Sequence, residues 1–230
     1  MGSLKDEFSE IRRVLISHYG RSGVASADAT PHDDLGRLVS VFLARSVPAA
    51  KLDRLIDALR DAGFLDEKAL AEADVAELEQ VAAEFGKIRP QVFATLRRLA
   101  RWVVDRGGAE ALADLPTESL REELRELNGV GPATAEAILL HALDRPAYPI
   151  DRPTYRIFVR HGWLDISAGF DEAREAVEGL APDAPDVLAD LAHALDRVGA
   201  QYCKPATPRC ERCPLRPWLP ENGPYLPLDE

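Results

Sequence analysis

The chain has 230 residues, 46% of them hydrophobic and 29% charged, the proportions of an ordinary globular protein of one or two domains. No apolar run reaches the roughly 20 residues that cross a bilayer and the N-terminus lacks the basic-then-apolar pattern of a signal peptide, so a cytoplasmic location with no membrane partner is expected. The net charge of −11, from 39 acidic and 28 basic residues, argues against a broad basic face for nucleic acid; such a partner would have to be met by local features.

Nearly every segment carries helical periodicity. Residues 4–19 set Leu4, Phe8, Ile11, Leu15 and Ile16 on one face. The small-residue stretch from Gly20 to Pro31 reads as a domain crossing. Asp33 or Asp34 is placed to cap the next helix, which carries Leu35, Leu38, Val39 and Phe42 and ends near Arg45–Pro48, since proline disfavours helix in the residue before it. Further helices are predicted over 49–62, 66–72, 74–84 and 90–105, the last with Val92, Phe93, Leu96, Leu99, Val103 and Val104 inward and arginines on its other faces. Gly107–Gly108 ends it, and Thr117 then fits an N-cap for a helix running through Leu120 and Leu124. Helices follow over about 132–142, 151–161, 170–179 and 182–200, and a proline-rich tail begins at Cys203. No segment alternates as a strand does, so the fold class is all-α.

Residues 124–156 concentrate the motifs. A helix end at Leu120, Leu124 and Leu127 runs into Asn128-Gly129-Val130-Gly131, and a second helix opens at Pro132. Two glycines two apart allow positive φ and close backbone approach. The N–H groups of Gly131 and of Ala133 to Ala135 then point into one concavity at a helix N-terminus, a setting that suits a phosphate without needing lysine or arginine. An ordinary helical corner with a glycine cap is the alternative. Asp151 stands at the mouth of the following helix, where N-capping alone would account for it. The loop Gly86-Lys87-Ile88-Arg89 precedes a helix and either contacts phosphates through Lys87 or simply starts that helix.

The Gly129–Ala135 segment with its flanking helices resembles the helix-hairpin-helix of the endonuclease III superfamily of DNA glycosylases. The family pattern is L-P-G-V-G-x-x-T-A, followed by a hydrophobic-Asp and Tyr/Phe-Arg; here Gly129 and Asp151 stand 22 apart and Tyr155-Arg156 follow. The resemblance covers about residues 30–213. It implies two helical lobes, a six-helix barrel over 24–145 containing the hairpin and a terminal lobe of 1–23 and 146–230, with DNA and a flipped base between them. It implies that Asn128, Gly129, Val130, Gly131, Ala133 and Thr134 meet the DNA backbone. Arg45 stands where the family has a glutamine that fills the gap left by the flipped base, a place where a solvated surface arginine is the other reading. It assigns Asp151 to catalysis, since a carboxylate near C1′ stabilises the positive charge that develops as the N-glycosidic bond breaks.

Departures from the family narrow that expectation. The lyase lysine is replaced by Ala133, and the five lysines (Lys5, Lys51, Lys68, Lys87, Lys204) lie elsewhere in sequence. A monofunctional glycosylase with little or no AP-lyase activity is therefore expected. Adenine-excising relatives carry a glutamate near the position of Val41, and thymine-mismatch relatives often carry a tyrosine at that of Ala133; both are absent. Phe42, Trp102 and Tyr148 are candidates to stack on a base, with core packing as the alternative.

Three clustered cysteines do not make a disulfide framework in such a chain. Cys203-x6-Cys210-x2-Cys213 resembles the first three ligands of the family's iron–sulfur loop, and Leu219 stands at the fourth. The resemblance implies a [4Fe–4S] cluster on three thiolates with an unidentified or absent fourth ligand, which the 221–230 tail could supply. A relic loop or zinc on three thiolates is the alternative. No organic cofactor is expected. The expected partner is double-stranded DNA with a damaged or mispaired base, met by a monomer at the nucleoid. A catalytically silent DNA-binding relative, or a helical or iron–sulfur interaction protein without a DNA role, would carry the same helices.

Overall fold

The computed structural model describes residues 4–22 and 34–225. Among them the regular elements are all helices. They are α1 (Leu4–Tyr19), α2 (Asp34–Leu43), α3 (Ala49–Asp61), α4 (Glu67–Glu72), α5 (Val75–Ala82), α6 (Pro90–Asp105), α7 (Thr117–Glu126), α8 (Pro132–His141), α9 (Arg152–Arg160), α10 (Phe170–Glu178) and α11 (Pro185–Gln201). Short 3-10 turns occupy Glu110–Asp114, Cys210–Arg212 and Arg216–Trp218. None of the described helices is long and apolar enough to cross a membrane.

The chain divides into two compact units, Thr30–Arg145 and Met1–Ala29 with Pro146–Glu230. The stretch expected to carry the crossing into the first unit, together with the candidate cap Asp33, lies outside the described residues after Ser22.

Within Thr30–Arg145, α6 is the central element, packed against α4, α5 and α2. Its apolar stripe explains this: Phe93, Leu96, Leu99, Ala100 and Val103 are all buried, and each large side chain removed from water contributes about 1.5–3 kcal/mol. The hairpin helices α7 and α8 pack on one another, and α8 also packs on α2. An ion cluster joins the pair: the Arg121 Nε donates to both oxygens of Glu136 at 3.0 Å, and Arg125 donates to Glu136 at 2.9 Å. Glu136 is fully buried. A carboxylate there is tolerated because both oxygens face guanidinium groups; removing one partner of such a buried pair costs about 3–5 kcal/mol.

In the other unit, α11 is flanked by α9 and α1. Buried Asp190 on α11 accepts from the Ser22 backbone N–H at 2.8 Å and lies 3.5 Å from Arg12 on α1. The segment leading to α9 is tied down as well, since Glu178 accepts the Tyr148 N–H at 2.9 Å and pairs with Arg174 at 2.5 Å.

Two local expectations differ from the structure. Thr117 is the first helical residue of α7, not its cap; Pro116 takes the cap position and its carbonyl accepts the Leu120 N–H, so no side-chain cap is needed. The last long helix starts at Pro185, because residues 181–184 close a turn through the Ala184 N–H and the Ala181 carbonyl.

Candidate active site and metal centre

The hairpin turn is built on one glycine rather than two. Gly129 adopts φ +97°, a region that side chains other than glycine rarely enter. A Cβ on it would stand 2.2 Å from the Thr95 Oγ1. Gly131 has an ordinary φ of −81° as the N-cap of α8, and a Cβ there would meet nothing within 4 Å. The fold thus requires glycine at 129, while at 131 it leaves open space in front of the backbone. The α6 helix braces the turn: the Asn128 carbonyl accepts from the Arg98 Nη1 at 3.0 Å and from the Thr95 hydroxyl at 3.5 Å.

The set of available donors is smaller than the sequence implies. The Thr134 and Ala135 N–H groups both donate to the Gly131 carbonyl, at 2.9 and 3.0 Å, and the Val130 N–H donates to Leu127. Among the described residues, those of Gly129, Gly131 and Ala133 have no acceptor. Val130 is 4% exposed and Thr134 is buried, so their side chains serve packing. Asn128, Gly129 and Gly131 are exposed and Ala133 is half-buried. Arg45, in the turn after α2, and Lys87, in the loop before α6, are also exposed. Arg98, an exposed cation touching the hairpin carbonyl, is the residue that sequence reading leaves among undistinguished surface arginines. Its only signal is its place one helical turn after Thr95.

Asp151 caps α9. Its Oδ1 accepts the Thr154 N–H at 2.7 Å, and among the described residues its Oδ2 makes no hydrogen bond. Capping therefore occupies one oxygen and leaves the other for a second partner. The position of α9 depends on Gly199 of α11, where a Cβ would stand 2.5 Å from the Pro153 Cβ. Replacing Gly199 with alanine is expected to push the N-terminus of α9 away and lower activity while α11 stays helical, since alanine is the better helix former. Circular dichroism beside a base-release assay checks this; wild-type activity in Gly199→Ala would remove Gly199 from the site's support.

Of the candidate stacking residues, Phe42 and Trp102 are each 7% exposed and Tyr148 is fully buried. The Trp102 Nε1 donates to Glu123 on α7 at 2.8 Å. Burial drives the Tyr148 phenol strongly upward in pKa. All three are core residues here.

The three cysteines are unpaired and line one cavity, partly open to solvent, together with Arg160, His161 and Leu219. The Arg160 guanidinium donates to the Cys203 sulfur at 3.3 Å and to the Lys204 and Pro205 carbonyls at 2.6 Å each. Arg156 anchors the same loop through the Cys203 carbonyl at 2.8 Å. Burial raises the Cys210 thiol and pushes the Cys213 thiol up to about 11, so metal would have to displace protons to bind. Among the described residues no three His, Cys, Asp or Glu side chains could hold a metal ion directly. A four-iron cluster makes a different demand, because each of its cysteines binds a different iron and the sulfurs stand apart around it. Three thiols around one cavity, with a cation bonded to one sulfur, fit such a group in donor chemistry; Leu219 brings no ligating atom.

No family model matches the chain. A Methanocaldococcus jannaschii protein assigned as a DNA repair glycosylase is 29% identical over 218 residues, 90% of this chain and 93% of the relative. An endonuclease III of Thermotoga maritima is 31% identical over 147 residues, 64% of each chain. A solved endonuclease III trapped as a covalent intermediate with DNA matches at a TM-score of 0.68 and 20% identity, over 96% of this chain and 97% of that one. The fold is that of the solved endonuclease III. In sequence it is similar to that repair glycosylase and that endonuclease III.

Proposed function

We propose that the protein is a monofunctional DNA glycosylase of base excision repair. It flips a damaged or mispaired base from duplex DNA and hydrolyses its N-glycosidic bond. The observation that carries this reading is the braced glycine hairpin, with N–H groups lacking acceptors at Gly129, Gly131 and Ala133; in the other unit, Asp151 is a capping carboxylate with one oxygen uncommitted. The hairpin donors, with Asn128 beside them, hold a backbone phosphate. Arg98 adds positive charge there, Lys87 meets a neighbouring phosphate, and Arg45 fills the space of the extruded base. Asp151 stabilises the charge developing at C1′ and orients the attacking water.

Ala133 at the register of the lyase lysine supports hydrolysis without a covalent sugar–enzyme intermediate. An iron–sulfur cluster on Cys203, Cys210 and Cys213 would supply a structural clamp for the loop bearing Lys204, Arg209 and Arg212. The protein works as a monomer in the cytoplasm at the nucleoid.

Duplex oligonucleotides containing uracil, a thymine mismatch, an alkylpurine or an oxidised base test the assignment. At least one is expected to yield abasic sites that break only after alkali. Cleavage without alkali would overturn the monofunctional assignment. Binding across the whole panel with no abasic product would favour a silent damage-recognition protein, a reading to which the loss of both the lyase lysine and the fourth cysteine also points.

A further inference from the structure

The cavity lined by the three cysteines has a side chain that their spacing does not reveal. His161 follows the last turn of α9, is 4% exposed, and lines the same cavity as Cys203, Cys210 and Cys213. Its Nδ1 is 2.8 Å from the Ile157 carbonyl. A carbonyl only accepts, so Nδ1 carries the proton, and in the neutral ring Nε2 presents a lone pair. Among the described residues that Nε2 is buried and makes no hydrogen bond of normal geometry, with the Leu215 backbone the polar group that faces the ring. The ring is held flat against Trp163, with centroids 4.4 Å apart and planes at 24°.

An imidazole with one nitrogen donating to a backbone carbonyl and the other bare is oriented as metal-binding histidines are. Leu219, at the register of the absent cysteine, lines the same cavity and offers no competing donor. Among the described residues no hydrogen-bond donor reaches the Nε2 lone pair.

We propose that the Nε2 of His161 is the fourth protein ligand of the iron–sulfur site, completing a Cys3His set with Cys203, Cys210 and Cys213. This rests on the cluster reading above. The three thiols lose their protons on binding, whereas Nε2 has none to lose. Imidazole is a weaker electron donor than thiolate, and histidine in place of cysteine raises the potential in other iron–sulfur centres. This cluster is therefore expected to be easier to reduce than an all-cysteine one.

The test uses the full chain reconstituted anaerobically with iron and sulfide. The wild type is expected to hold a four-iron cluster whose reduced form shows nitrogen coupling in pulsed EPR, altered by 15N-histidine labelling. After one-electron oxidation with ferricyanide, His161→Ala is expected to have lost the unique iron and to give the EPR signal of an oxidised three-iron cluster. His161→Cys is expected to keep four irons, lose the nitrogen coupling and shift to a lower potential. Leu219→Cys in the His161→Ala background is expected to restore the fourth iron. A four-iron wild type without nitrogen coupling, or an unchanged cluster in His161→Ala, would overturn the proposal. If His161→Ala does not fold, labelling of the wild type and the cysteine variant decide the matter. Failure of the wild type to take up a cluster also overturns it, while base release from the oligonucleotide panel reports separately on the glycosylase reading.

Discussion

Replacing Asp151 with asparagine is expected to lower base release by about 10²–10⁴-fold, the range for removing a positioned acid–base group, while DNA binding survives. Asparagine ranks with aspartate as an N-cap, so its side-chain oxygen can keep the 2.7 Å bond to the Thr154 N–H and α9 stays in place. What disappears is the negative charge that the developing sugar cation needs. Single-turnover release from the best substrate, with binding measured in parallel, checks this. Release at the wild-type rate would reduce Asp151 to a cap. Asp151→Ala is the poorer probe, because losing a cap costs about 1 kcal/mol and mixes structure with chemistry.

The second large effect is expected from Gly129→Ala, with the opposite signature: DNA binding is lost. Alanine at φ +97° carries a left-handed backbone cost of roughly 1–2 kcal/mol. Its Cβ also meets the Thr95 Oγ1 at 2.2 Å, so the turn must move and its unpaired N–H groups move with it. The companion change Gly131→Ala meets no atom within 4 Å and no unusual φ. Its stability is expected to match the wild type, while binding weakens if a phosphate approaches that backbone. Denaturation midpoints with binding isotherms separate the two glycines. Equal loss of stability in both variants would show that Gly131, too, is required by the fold. Thr95→Ala added to Gly129→Ala is expected to recover only part of the stability, because it removes the hydroxyl clash and leaves the backbone strain.

The helices were legible because amphipathic spacing is a local property. Leu96, Leu99 and Val103 recur at helical intervals whatever they pack against, and the structure buries them as that spacing implies. The turn itself was legible from Gly129, Val130 and Gly131, but not how its donors are used. The Thr134 and Ala135 N–H groups are consumed by the Gly131 carbonyl, an outcome of how α8 begins. Thr117 misled for a related reason: a good capping residue is no cap when Pro116 already closes the first turn.

By itself the sequence determined the all-helical class, the glycine hairpin, the acid 22 residues beyond it and the three-cysteine loop, since each is a matter of residue type at short spacing. Only the tertiary structure decided what surrounds them. Arg98 and Thr95 meet Asn128 across 30 and 33 residues, Gly199 lets α11 close on Pro153 across 46 residues, and His161 reaches a cavity whose first cysteine is 42 residues away. Such pairings follow from helix packing, which places side chains by the shapes of several helices at once, and spacing along one chain does not record that.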